Sequence, residues 1–464
     1  MKKLRLFLIM FIIISLVLVG CGGNQSNTEQ TGNTTQSTAQ TDNNQTENNS
    51  TNSSSNSGSN TTKKCQLPSQ FYIGLTDDGD FGIVDLNGKP QCILFKKDSG
   101  DLSFFRVAHA QDLWYILIEQ TVHIYDKNFN EINSYSITQY PYTFLPIGDK
   151  VWDIEKNGVQ LLNKEKVEQS FYGWEIGYNY DDVKAHVALS KDNLWVIDNY
   201  NSKLYLLKKD GTKQEITDNI YQILASDSNS GGIWASDMDD KLIFISSDGS
   251  IKQYDNEIYT DSDWNTDGKY VYGILWDRDK TNPMYTIIDN GTMKQAPISD
   301  NILTIHHTSG NGGTLWAIGE DYDGNFIVIV YNGTNVNEIN ITPKVPFEID
   351  EANIVPLTAD MGVLIVKGDN DTSMVLGIDK TGNVLWKKTD KELLGSEGII
   401  FPDEYMIHDK YIALNGEDNT NFEKYVFILD KDGNLVAKKK GQLGMIITAD
   451  GSIATTNAFY YLGK

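Results

Sequence analysis

Six histidines are scattered through 464 residues. Five of them, His109, His186, His306, His307 and His408, fall in or beside segments that read as the first strand of a repeated unit. His186 stands nine residues before Trp195 and His307 nine before Trp316, so the two occupy matching depths in units three apart. The same offset from Ile412 falls on Asp403, with Glu404 beside it. Imidazole and carboxylate facing one another across a channel form a donor set for a divalent metal, which could support a metal-assisted lyase or hydrolase. The competing reading leaves these side chains on separate strands, too far apart to share an ion. No HExxH helix, Gly-rich phosphate loop or GxSxG elbow stands out. The acidic turns Asp77-Asp78-Gly79-Asp80 and Glu320-Asp321-Tyr322-Asp323-Gly324 lack the distal Glu of a twelve-residue calcium loop, and turn chemistry explains them. No cofactor is firmly implied, and a divalent metal is the one candidate.

The elements that must position these residues repeat. Leu113-Trp114, Val151-Trp152, Leu194-Trp195, Ile233-Trp234, Val271-Tyr272 and Leu315-Trp316 recur at intervals of 38, 43, 39, 38 and 44 residues. Weaker members extend the series to Tyr72-Ile73, Val363-Leu364, Tyr411-Ile412 and Ser452-Ile453. Turn signals keep step at Asn87-Gly88, Asp210-Gly211, Asp248-Gly249, Asn290-Gly291, Asn332-Gly333, Thr381-Gly382 and Asp432-Gly433, which read as two-residue type I′ hairpins. Short alternating runs lie between them, with few helical periodicities. One unit reads as strands at Lys184–Ser190, Leu194–Asp198, Lys203–Lys208 and Lys213–Ile216. Four-stranded units of about this length describe an all-β fold, a β-propeller spanning residues 65–464. A wide aromatic repeated in every unit is explained by packing between neighbouring blades, not by ligand contact. Eight complete repeats run from about Leu102 to Lys440, with a fragment at each end. The expected ring has eight blades, nine being the nearest alternative and seven the next.

Two segments carry a resemblance. "GIDKTGNVLWKKT" (Gly377 to Thr389) is similar to the quinoprotein-like propeller repeat, Asp-x-x-Thr-Gly-x-x-x-Trp, and "ILDKDGNLVAKKK" (Ile428 to Lys440) is a looser copy. The central Leu-Trp repeats look more like streptogramin-lyase, two-component-sensor and WD40-like propellers. Shared blade geometry produces such likeness to several families at once, so it implies the fold and leaves the activity open. The quinone and calcium site of the quinoprotein dehydrogenases has no locatable counterpart. The histidine and magnesium carboxylates of the streptogramin lyases transfer onto no local motif.

The N-terminus speaks to location. Lys2, Lys3 and Arg5 precede an apolar run from Leu6 to Val19, the layout of a secretory signal and too short for a mature span. Leu18-Val19-Gly20-Cys21 resembles the lipobox of bacterial lipoproteins, which implies cleavage before Cys21 and a diacylglycerol (palmitate-type) anchor on its thiol. Residues 21–64 form an Asn/Ser/Thr/Gln-rich segment without a core, a disordered tether reaching roughly 35 Å. The whole chain carries a net charge of −24, and loss of the signal removes three of its 39 basic residues. Such a surface repels phosphate backbones and excludes nucleic-acid binding. Outside the cytoplasm Cys65 and Cys92 are either bonded, pinning the tether to the first repeat, or free thiols. The expectation is a monomeric lipoprotein, anchored to the bilayer of a Gram-positive cell. Its propeller would bind an envelope protein, peptide or glycan on loops near Trp174–Asp182, Asp277–Pro283 and Glu417–Phe422. The alternative is an extracytoplasmic enzyme using His186, His307 and Asp403.

Overall fold

The computed structural model describes Cys65 and residues 67–462, apart from 101, 103, 178–182, 184, 259–262, 277–280, 370, 444–452 and 457. The signal segment, Cys21 and the tether lie outside these residues. No helix among the described residues is long and apolar enough to cross a membrane.

Alternation of apolar and polar residues folds the described chain into nine antiparallel sheets. Blades 2 to 9 are four-stranded meanders at 105–136, 143–172, 187–217, 222–257, 265–297, 302–340, 349–389 and 398–440. Their strands, a to d, follow chain order from the channel outward. The a strands of blades 2 and 3 pack on one another, as do those of each successive pair from blade 4 round to blade 1. The unit read from the sequence is blade 4, with strands Val187–Ser190, Asn193–Asp198, Lys203–Lys208 and Lys213–Thr217.

The expected count of eight is corrected to nine, because the two end fragments complete one further sheet. Phe71–Leu75, Phe81–Asp85 and Pro90–Phe95 join the C-terminal strands Ile453–Ala454 and Ala458–Tyr461 through the pairs Phe71↔Tyr461 to Gly74↔Ala458. In this five-stranded blade 1, Tyr72-Ile73 lies in strand c, not in the strand b that its place in the repeat series implied. Likewise Asn87-Gly88 joins strand d to a fifth, outermost strand, while the c–d turn is Thr76–Asp80. The turns also differ in type. Of the seven, only Asn290-Gly291 has positive φ at both residues. The others place only Gly in the left-handed region, as in three-residue loops with a Gly bulge: at 430–434 the Asp430 carboxylate accepts from the Asp432 and Asn434 amides.

The repeated aromatics are interior. Trp152, Trp195, Trp234, Tyr272 and Trp316 are buried, each in a cluster that includes residues of the following blade. Trp114 departs from the pattern: it packs back on Phe71 and Phe459 of blade 1, and Tyr115 faces blade 3 in its place. Adjacent strand residues point to opposite faces, so a one-residue offset in the motif exchanges the two.

Cys65 and Cys92 are joined as a disulfide with Cα atoms 5.5 Å apart, tying residue 65 to the outermost strand of blade 1 across 27 positions. Closing a loop of that length is worth about 3 kcal/mol. Cys92→Ser is therefore expected to lower the melting temperature, and reductant should lower that of the parent chain to match. Equal melting with and without reductant would refute the contribution.

Candidate functional site

In a four-stranded meander the d–a connections and the b–c loops emerge on one face of the ring, and the a–b and c–d turns on the other. The a strands of blades 7, 8 and 9 are 10, 10 and 11 residues long, against 4 to 6 in blades 2 to 5. Each long strand slips register near its start, at Ile305/His307, Ile349/Glu351 and Ile400/Tyr405. In blade 9 the four residues 401–404 stand opposite Asn415 alone. Pro402 has no N–H for the ladder, so the strand bulges here and re-aims Asp403, Glu404 and Tyr405.

A polar network results at the channel mouth on the d–a face. Asp263, in the connection entering blade 6, accepts from His307 Nδ1 at 2.6 Å, and the Thr308 hydroxyl donates to the Asp263 carbonyl at 2.7 Å. With Nδ1 protonated, His307 Nε2 is an acceptor, and the Tyr405 hydroxyl lies 3.1 Å from it. Tyr405 reaches from blade 9 past blade 8 to make this bond. Burial, then the nearby Asp263 and Asp403 charges, push its phenol well above the ordinary range. Asp403 accepts from the Asn353 amide at 3.2 Å and shares a hydrogen bond with Glu351 of blade 8. Burial, and next Asp403, raise the Glu351 carboxyl, while Lys367 Nζ lies 3.4 Å from Glu351 Oε2. Glu404 accepts from Asn415, whose own side-chain oxygen accepts from the Leu443 amide.

Two of the three residues singled out in the sequence, His307 and Asp403, meet around Tyr405. His186 takes a different partner: it sits one residue before strand a of blade 4, buried, with Nδ1 2.8 Å from the Ile176 carbonyl oxygen. His109 stacks on Trp114, and His306, at the blade 7 bulge, lies 3.7 Å from Glu320. Among the described residues, no group of three or more His, Cys, Asp or Glu side chains is placed to hold a metal ion. Of the expected binding loops, Trp174 is buried between Phe171 and Tyr205, and Phe422 stands out at a loop tip. Residues 178–182 and 277–280 lie outside the described set. Asp263, Glu351 and Tyr405 were not anticipated. The one available signal was Pro402 inside a strand pattern.

No family model and no curated protein matches the chain. Among solved structures it is similar to a eukaryotic initiation factor at TM-score 0.54 and 11% identity, over 85% of this chain and 98% of that one. An apo AztD from Citrobacter koseri gives TM-score 0.38 at 11% identity over 78% and 98%, and a streptogramin B lyase gives 0.29 at 14% over 60% and 96%. The first of these is a likeness of fold, and the nine sheets make the described residues a nine-bladed β-propeller.

Proposed function

We propose that the chain is a membrane-anchored, extracytoplasmic lipoprotein whose propeller binds a protein, peptide or glycan of the cell envelope on the d–a face. The observation that carries this reading is where large apolar side chains are exposed. Tyr200, Met238, Tyr322 and Phe422 are 79%, 54%, 71% and 74% exposed, and all four sit in b–c loops, of blades 4, 5, 7 and 9. Rigid aromatics held in water at loop tips are suited to contact at little entropic cost. The His307 network favours binding over catalysis. Both ring nitrogens are engaged, by Asp263 and Tyr405, so His307 could act as a base only after Tyr405 moved away.

Two measurements test the proposal. Cells expressing the full chain should incorporate labelled palmitate at Cys21, and Cys21→Ser should shift the protein from the membrane fraction to the medium. A photo-crosslinking residue in place of Tyr322 should capture an envelope component, where one in place of Asp432, in a c–d turn, should not. Membrane retention of Cys21→Ser would sink the anchoring, and equal capture at both positions would sink the binding face.

A further inference from the structure

The channel mouth holds an acceptor that no described residue satisfies. Asn353 is 2% exposed; its amide nitrogen donates to Asp403, and its Oδ1 is buried with no hydrogen-bond partner. A buried carbonyl oxygen left unpaired costs about 1–3 kcal/mol, so a donor is wanted there. Beside it stand the carboxyl groups of Asp403, to which Asn353 donates, and of Glu351, which shares a hydrogen bond with Asp403 and faces the Lys367 ammonium. Resting on the reading of the d–a face as the binding face, we propose that the mouth between blades 8 and 9 binds an alkylammonium group, with Asn353 Oδ1, Glu351 and Asp403 as its acceptors.

The chemistry of the set selects this class. A primary ammonium presents three donors and no acceptor, which suits an amide oxygen beside two carboxyl groups, and its charge would replace the proton that Glu351 and Asp403 share. The protein supplies a stand-in for part of the contact, since the Lys367 ammonium already rests 3.4 Å from Glu351. Anions are excluded by the surrounding carboxylates. A hard divalent ion would want more oxygens than these side chains offer, and no metal-holding group of three is present among the described residues. The Glu351 side chain is 39% exposed, so a ligand can reach the cluster from solvent. The net charge of −24 raises the local concentration of cations at such a mouth.

An ammonium can arrive on a free diamine or on a lysine side chain of an envelope peptide, and calorimetry separates the sources. The full-length chain in detergent would be titrated with cadaverine, with a lysine-containing pentapeptide, with the same peptide carrying norleucine for lysine, and with calcium chloride. One-site binding of cadaverine or of the lysine peptide is expected, weakened about tenfold by Glu351→Gln and by Asp403→Asn, the loss typical of a charge-assisted hydrogen bond. Asp432→Asn on the opposite face should bind as the parent does, and melting curves will show whether each variant is folded. Binding of cadaverine alone assigns a free amine, and binding of the lysine peptide alone a peptide side chain. The inference is overturned if neither amine binds, if the norleucine peptide binds equally, if both folded variants retain affinity, or if calcium binds and amines do not. Should Tyr322 crosslinking persist in any of those cases, the binding face stands and only the ammonium site falls.

Discussion

Deleting residues 453–464 is expected to abolish the single cooperative melt of the propeller. Those residues supply strands a and b of blade 1, and Ala458–Tyr461 pairs with the N-terminal strand Phe71–Leu75 on its channel side. Without them one sheet edge opens, on Phe71–Leu75, a template for aggregation, and the ring's inner wall loses its blade 1 strand. The interior suffers equally. Tyr460 is 1% exposed in a cluster with Tyr72, Tyr411 and Ile428, and truncating one such aromatic to alanine alone costs about 3–5 kcal/mol. Polar ties also hold the N-terminal strand of blade 1, and of these the Gln70–Leu462 bond is lost with the deleted residues. Lys439 donates to the Tyr72 hydroxyl at 2.7 Å and to the Leu75 carbonyl at 2.6 Å, and Gln70 donates to the Leu462 carbonyl and the Tyr411 hydroxyl. Summed over Ile453, Phe459, Tyr460 and Leu462, all buried, such losses rival the roughly 5–15 kcal/mol net stability of ordinary domains. A truncated chain melting in one sharp transition near the parent temperature would show that blade 1 is dispensable.

That seam is also where reading the sequence went astray. The repeat period was legible because blade packing and turns each demand a residue type at a fixed place: an aromatic in strand b, and Gly where φ is positive. Neither marker records which strand of a blade a terminal fragment occupies. Tyr72-Ile73 matched the strand b pattern while lying in strand c, since both strands bury both faces. Trp114 shows the same limit at one-residue resolution, because period-2 alternation lets a Trp-Tyr pair present either ring to either neighbour.

The candidate site was half legible for a related reason. His307 and Asp403 share an offset from their markers, and in the fold both lie beside Tyr405. The bond that joins blade 7 to blade 9 is between His307 and Tyr405, 98 residues apart. It depends on the bulge at 401–404, which no spacing rule counts. Asp263 lies in an irregular connection with no periodic pattern to assign it a depth.

The Arg106 charge in the neighbourhood of Asp153 gives the second large effect. Arg106 is the only arginine among the described residues and lies on strand a of blade 2. Its Nε donates to the Tyr142 carbonyl at 3.0 Å and Nη1 to the Phe105 carbonyl at 2.8 Å, and burial lowers its pKa to about 10. Asp153, on strand b of blade 3, is fully buried, and among the described residues neither of its carboxylate oxygens has a hydrogen-bond partner. Burial, and next Glu155, raise the Asp153 carboxyl well above its usual range, and Arg106 is the charge that opposes them. Arg106→Met removes that opposition and should cost about 1–3 kcal/mol near neutral pH, the range for a buried polar group left uncompensated. Most of that loss should return in the double variant Arg106→Met/Asp153→Asn, which no longer buries a carboxylate.

The pH dependence separates this electrostatic account from simple loss of packing. A carboxyl whose folded pKa is raised binds its proton more tightly in the native state. Its stabilising contribution is complete below the unfolded pKa, about 4, and is lost as pH rises toward the folded value. Arg106→Met raises the folded value further, so its cost should be small at pH 4 and grow toward pH 7. Asp153→Asn alone should flatten that slope and be more stable than the parent at pH 7. Urea melts of the three variants and the parent at pH 4, 5.5 and 7 measure these quantities directly. A penalty for Arg106→Met that is equal at pH 4 and 7, and that Asp153→Asn does not recover, would assign Arg106 to packing and backbone hydrogen bonds alone. In the expected outcome, the blade 2–blade 3 junction is the acid-stabilised seam of the ring, because a buried carboxylate there is restrained by a single guanidinium.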